Sequence, residues 1–317
     1  MGRIIRMLGG RLFQAVLVAS IVATVCFALV EALPGDQAYR IAAGRYGIDL
    51  VSSSAAEMVR AELGLDRPWW QRLGNWYGDL ATGNLGRSLV SSDLVIDELS
   101  HQLGATIRLA LLALAGSILI GPPLGVIMAM RAGRELDLVG LIGATALRAV
   151  PSFALGILLM LLFAVWSPLL PAAGADDPSS WILPTLTLAL GLAAVSSRVT
   201  RDAVVEALRS PAVQFARTRG LTQRQAVRHH VLRNASVPVV TYLGLQLVIL
   251  IEGVVVVESL FAWPGIGHAL VHAVVARDIP MVQGTALAMG LLFVLLTMVI
   301  DGLCLLLDPR ARPTWSK

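Results

Sequence analysis

Residues 105–130 read ATIRLALLALAGSILIGPPLGVIMAM, with Arg108 as the one charged residue. A bilayer core is crossed by about 20 apolar residues in helical conformation, so this stretch is long enough to span it. Working outward, comparable apolar runs cover Leu12–Leu33, Leu136–Trp166, Trp181–Val199, Val237–Phe261 and Gly284–Leu307. The expectation is an all-α integral membrane protein with six transmembrane helices. Helices are the natural spanning element because each satisfies its own backbone hydrogen bonds in hydrocarbon. The alternating pattern of barrel strands is absent. Bulk composition agrees: 56% of the 317 residues are hydrophobic and 15% charged, against about 25% charged in soluble domains, and mean hydropathy is +0.74.

Composition also excludes chemistry. Lysine occurs once, at Lys317, so no phosphate-binding G-x-x-x-x-G-K-[ST] loop and no lysine Schiff base is available. Neither H-E-x-x-H nor G-x-S-x-G is present. Catalytic residues and a bound cofactor are not expected, and any nucleotide hydrolysis belongs to another chain. Cys26 and Cys304 lie inside apolar runs, which suits core filling better than a disulfide or metal. The net charge of +4 is carried by arginines clustered beside membrane segments, a distribution that suits lipid and not nucleic acid.

Those arginines orient the chain. Arg3, Arg6 and Arg11 precede the first run, Arg131 and Arg134 separate the second and third, and Arg310, Arg312 and Lys317 follow the last. The loop between the fourth and fifth runs is the richest, with Arg198, Arg201, Arg209, Arg217, Arg219, Arg224, Arg228 and Arg233. The positive-inside rule puts these loops and both termini in the cytoplasm. The expected division is 1–33 for the tail and first helix, 34–101 for an extracytoplasmic segment, and 102–317 for a five-helix core. Within 34–101, Trp69, Trp70, Trp76 and Tyr77 gather as interfacial anchors do.

The loop over 201–236 is unusually long. Gly220 breaks the chain, Thr222 can cap a helix that follows, and Val227 and Val231 share a face four residues apart. A short amphipathic helix on the membrane surface fits this pattern.

At this segment the chain resembles the ABC importer permeases of the dipeptide/oligopeptide/nickel transport family. The shared features are Ala216-Arg217-x-x-Gly220-Leu221 and Leu232-Arg233-Asn234-Ala235-x-x-Pro238. Gln214 stands where the general EAA-loop consensus has glutamate. Further matching strings follow in order: Leu33-Pro34-Gly35-Asp36, Leu63-Gly64-Leu65-Asp66-Arg67-Pro68, Gly83-Asn84-Leu85-Gly86-Arg87-Ser88, Glu258 through Gly267, Arg277 through Gly284, and Leu307-Asp308-Pro309-Arg310. The resemblance implies a bacterial inner-membrane permease subunit working with a second homologous permease, two ABC ATPases that use ATP and Mg, and an extracytoplasmic binding protein. It further implies that Arg217, Arg219, Gly220, Leu221, Arg224 and Arg228 contact the ATPase, and that Trp263, Pro264 and Gly265 gate the outer mouth or meet the binding protein. Tight-turn chemistry would also account for Pro264-Gly265.

Charges within the membrane are costly, about 2.5–3.5 kcal/mol on insertion scales, and invite a role. Arg148, Glu252 and Glu258 are candidates for the substrate pathway: an arginine for a peptide carboxylate, a glutamate for its ammonium. Structural pairing is the competing reading. His268 and His272, four apart, could hold a metal or lie on a surface. Peptides are the expected cargo. Nickel or metal chelates, glutathione and opine-type compounds are alternatives within the same family, and a secondary carrier or channel is the alternative of another class.

Overall fold

The computed structural model describes residues 2–32, 35–46, 52–227 and 231–307, and no named strand occurs among them. The helices are α1 (Gly2–Ala32), α2 (Gln37–Tyr46), α3 (Ser53–Leu63), α4 (Trp69–Ala81), α5 (Val95–Met130), α6 (Glu135–Ala149), α7 (Ser152–Met160), α8 (Ile182–Arg209), α9 (Pro211–Thr218), α10 (Gln223–Ala226), α11 (Leu232–Leu260), α12 (Ile266–Val275) and α13 (Ile279–Leu307). Among the described residues four helices are long and apolar enough to span: Gly9–Ala32 of α1, α5, α8 and Ile279–Ile300 of α13; the bent pair formed by α6 with α7 and its continuation makes a fifth if counted as one. α11 contributes a further helix of 29 residues. The chain divides into two compact units, one of residues up to Thr106 with Pro264–Leu295, the other of Ile107–Trp263 with the remainder of α13.

In the first unit, α2 and α3 pack through Ile41, Ala42, Ala55 and Val59, with Leu89 completing the cluster. Ser52 caps α3 by accepting from the Ala55 amide at 3.2 Å. Gly64 ends it at φ +59, the left-handed conformation that costs glycine least. Asp36 clips this pair to Arg60 at 2.5 Å. Burial pushes the Asp36 carboxyl up, but the Arg60 hydrogen bond and the Ala38 amide outweigh it and hold the group below the usual carboxylate range. α4 has no buried residue and runs back along α1: Tyr77 donates to the Ser20 carbonyl at 3.0 Å and lies 2.7 Å from Thr24 Oγ1, while Arg72 reaches Glu31 and Gln37 at 2.5 and 2.9 Å.

A turn over 86–95 is pinned to the start of α13 by the buried carboxylate of Asp278. It accepts from Ser88 Oγ at 2.5 Å, the Leu89 amide at 3.1 Å and the Met281 amide at 3.3 Å. Beneath it, Val95, Leu99, Ile266, Ala269, Ala273 and Met281 form a core.

The second unit is built on a close approach of α5 and α8. A Cβ at Gly121 would overlap Ser196 Oγ and lie 3.0 Å from the Ala193 carbonyl oxygen. At Gly125 it would overlap the Ser197 carbonyl oxygen and lie 2.7 Å from Thr200 Cβ. Small residues on both partners let backbones meet, the usual device where lipid supplies no hydrophobic drive between helices. The freed hydroxyls bond their own helix: Thr200 to the Ser196 carbonyl at 2.7 Å and Ser197 to Ala194 at 2.9 Å.

The sequence predicts one helix over Leu136–Trp166; the structure breaks it. α6 ends at Val150, which is extended at ψ 124, and α7 starts after Pro151 with the axis turned by 99°. Proline lacks the amide for the helical ladder, and its ring drives the preceding residue out of helical geometry. A π-helical turn, Leu161–Trp166, follows α7. Two boundaries also move: α5 begins at Val95 and α8 runs to Arg209, past the apolar limits at Ala105 and Val199.

Gly125→Ala should destabilise the protein by about 1–3 kcal/mol through overpacking, whereas Gly143→Ala, where an added Cβ meets nothing within 4 Å, should not. Thermal unfolding in detergent of the two variants beside the parent checks this. Equal midpoints for all three would mean that the α5–α8 approach does not limit stability.

Candidate functional site

The segment following α8 folds onto the ends of α5 and α8 instead of hanging free. Val204 and Ala207 of α8, Ala129 of α5, Val213 of α9, Ala226 of α10, and Val231 with Ala235 form one buried cluster, with Val227 packed against it. The helix expected after Thr222 begins as α10, and a second short helix that the sequence reading did not anticipate, α9, precedes Gly220. The Val227–Val231 apolar pairing is borne out by their place in this core.

Gly220 has φ +89, and a Cβ there would meet nothing within 4 Å. Its requirement is therefore conformational: a left-handed residue ends α9 and reverses the chain. Thr222 then opens α10 with a reciprocal cap. The Thr222 amide donates to Gln225 Oε1 at 3.0 Å, and the Gln225 amide to Thr222 Oγ1 at 3.4 Å, the geometry of a capping box.

With apolar side chains turned inward, the outer face of this segment carries polar and aromatic groups. Gln214, Phe215, Arg219, Gly220 and Thr222 are exposed, and Leu221 is half-buried. Arg219 lies over the Phe215 ring, 4.7 Å from its centroid, a cation–π contact that stiffens both side chains. Of the other expected contact residues, the Arg217 and Arg224 side chains and all of Arg228 lie outside the described residues.

One ion pair ties α8, from which this segment continues, to α6, and it joins residues remote in the chain. Arg201 of α8 binds Asp137 of α6 in a fork, Nε to Oδ1 at 3.0 Å and Nη2 to Oδ2 at 2.7 Å. Asp137 is 2% exposed and also accepts the Gly133 amide at 2.9 Å, while Arg201 Nη1 reaches Asp202 at 2.8 Å. A bidentate fork of this kind fixes orientation as well as distance. The signal available in sequence was an aspartate two residues into an apolar run, expensive unless paired.

Between α6, α7, α8 and α11 lies a cavity of about 190 Å³ whose lining includes Arg148, Ser152, Thr187, Tyr242 and Gln246. Gln246 donates to the Leu192 carbonyl at 3.3 Å, and its Oε1 is buried with no hydrogen-bond partner among the described residues. Arg148 thus faces polar company that periodicity alone could not reveal. The side chain of Glu252 lies outside the described residues, so its pairing with Arg148 is not described. Glu258 is fully buried.

Trp263 is 7% exposed and follows Ala262 at φ +49; its amide donates to the Glu258 carbonyl at 2.8 Å. Pro264 is exposed and buried Gly265 precedes α12, so the stretch forms the turn into that helix. The His268 and His272 rings lie 4.4 Å apart. Burial, and secondarily His272, push the His268 pKa down, favouring the neutral ring. No group of three or more metal-ligating side chains occurs among the described residues.

Comparison with known proteins follows the same lines. Residues 121–313 match the family model for binding-protein-dependent transport system inner membrane components. The glutathione transport system permease protein of Pectobacterium atrosepticum is 38% identical over 292 residues, covering 92% of this chain and 94% of that one. A Brucella abortus permease provisionally named for peptide transport is 40% identical over 311 residues, covering 95% and 97%. Among solved structures, a chain of the MetNI methionine ABC transporter in an inward-facing conformation aligns with TM-score 0.56 at 19% identity, over 67% of this chain and 96% of that one.

Asp137→Ala should cost about 3 kcal/mol, because it leaves the partly buried Arg201 guanidinium with only the exposed Asp202 as partner. Arg201→Lys should recover only part of the fork. Detergent unfolding of the two variants checks this; an Asp137→Ala protein as stable as the parent would mean that the pair does not hold α8 to α6.

Proposed function

The chain belongs to the family of binding-protein-dependent transport system inner membrane components, and from that premise we propose that it forms half of the translocation pathway of an ATP-driven importer of di- and oligopeptides, glutathione included. The names of its relatives support this cargo class. Six spans with both termini cytoplasmic, α11 being one of them, agree with the arginine distribution. The proposed partners are a second homologous permease, two ATPases and an extracytoplasmic binding protein.

The observation that carries the reading is the exposed Phe215–Thr222 face on a buried apolar footing. A knob so footed cannot move without α5 and α8, because its inner side chains share their core. An ATPase gripping Arg219, Gly220 and Leu221, with Arg217, Arg224 and Arg228 at the border, would transmit its closure to those helices. ATP then shifts the balance of inward and outward states to the extent that it binds one of them better. In the cavity of α6, α7, α8 and α11, Arg148 offers a fork for a peptide carboxylate, and the unpaired Gln246 Oε1 offers an acceptor for a peptide N–H. Glu252 would meet the ammonium. Glu258 supports the outer end of α11, and Trp263-Pro264-Gly265 borders the outer mouth. Nickel or a metal chelate is the alternative cargo.

Gly220→Val forces a β-branched residue to positive φ, a strain of about 1–3 kcal/mol, and should lower peptide uptake at least about tenfold at normal membrane abundance while basal ATP hydrolysis continues. Uptake of labelled glutathione and dipeptides by cells carrying the complete system is the measurement. Unchanged uptake would refute coupling through this segment.

Arg148→Gln should raise the half-saturating peptide concentration about tenfold, the loss expected when one charge-assisted contact is removed. Titration of uptake against a free peptide and its C-terminal amide checks it. An equal response of parent and variant to amidation would exclude Arg148 as the carboxylate partner.

A further inference from the structure

On α4, Arg72 and Trp76 stand four residues apart, the spacing that puts two side chains on one helical face. Arg72 Nε and Trp76 Nε1 are both buried, with no hydrogen-bond partner among the described residues. Both residues line a cavity of about 650 Å³ in the first unit. A buried donor left unmet costs about 1–3 kcal/mol, so two on one wall mark a place shaped for an acceptor. Arg67 and Arg87 line the same cavity, as do the carboxylates of Glu62 and Asp79. Its charge is therefore mixed: Arg72 is paired with Glu31 through Nη2, and Arg67 and Arg87 balance the two carboxylates.

Phe27 of α1 lines this cavity and also a second one of about 360 Å³, walled by Ala28, Ala32, Trp69 and Leu73 with Thr24 and Glu31. The second is an apolar slot between α1 and α4. Trp69 on its wall is 55% exposed, and Trp70, whose ring packs edge-on against Trp69, is 58% exposed, as rings at a membrane interface are. α1 offers Phe13 (70% exposed), Val16, Ile21 and Leu29 to the surroundings. One ligand that satisfies both cavities carries a phosphate and an ammonium at one end and hydrocarbon at the other.

We propose that the α1–α4 corner is a phospholipid site that takes phosphatidylethanolamine. The phosphate accepts from Arg72 Nε and Trp76 Nε1 with Arg67 nearby, the ammonium faces Asp79, and one acyl chain lies in the slot beside Leu73 and Phe27. Assignment to the outer leaflet rests on the topology proposed above; lipid binding in detergent does not.

The test uses the purified, delipidated transporter complex and native mass spectrometry. Phosphatidylethanolamine, phosphoethanolamine and diacylglycerol are titrated in parallel. The expected result is retention of the whole lipid but of neither fragment at equal concentration. Trp76→Phe keeps the ring and removes the N–H; together with Arg67→Gln it should weaken lipid binding about tenfold or more, the worth of one charge-assisted hydrogen bond. Leu73→Trp, which fills the slot, should do the same with the donors intact. Phosphoethanolamine bound as well as the lipid would make this a site for a soluble anion, and diacylglycerol bound as well would make it an apolar slot alone. Undiminished lipid binding in both variants would overturn the proposal outright. Accessibility of a C-terminal tag in sealed vesicles tests the topology separately, so its failure would change the leaflet and leave the site.

Discussion

Where α5 and α8 meet at Gly121 and Gly125, nothing but hydrogen fits between the two backbones, and the second unit depends on that contact. Lipid rewards no burial of apolar area, so the helices are held by close packing. The contact sets where Ala129 and Val204 meet, and those residues form the floor on which Val213, Ala226 and Val231 rest. The segment after α8 thereby becomes a rigid extension of two membrane helices.

Buried carboxylates do the corresponding work at the ends of helices. Asp137 receives a guanidinium fork and a turn amide; Asp278 receives a hydroxyl and two amides. Each gathers donors from chain segments that no hydrogen-bond ladder joins. Such an arrangement is costly to assemble and costlier to break, because a partner removed leaves a charge or donor stranded in a place water does not reach. The outcome is orientation, which an apolar contact alone would leave loose.

Much of the candidate site was legible before any coordinate. Thr222 carries the hydroxyl of a cap, Gly220 the freedom for positive φ, and Val227 and Val231 the spacing of a buried stripe, and all these readings survive. The 99° bend at Pro151 was latent in the residue itself but was overruled by the unbroken hydropathy around it. The Asp137–Arg201 fork could not be read, since the two residues are 64 apart in the chain. The orphaned donors of Arg72 and Trp76 were invisible for a related reason: a satisfied tryptophan and an unsatisfied one are the same letter.

By itself the sequence determined the solvent and the helical class, because length and apolarity decide whether a segment can leave water. It also determined the family, through short strings whose order no chance arrangement of hydrophobic residues would keep. Tertiary structure alone decided which backbones touch, which charges are paired, and which donors face an empty wall. Those properties depend on distances between residues remote in the chain. Periodicity reports which face of a helix is apolar, but not what that face meets.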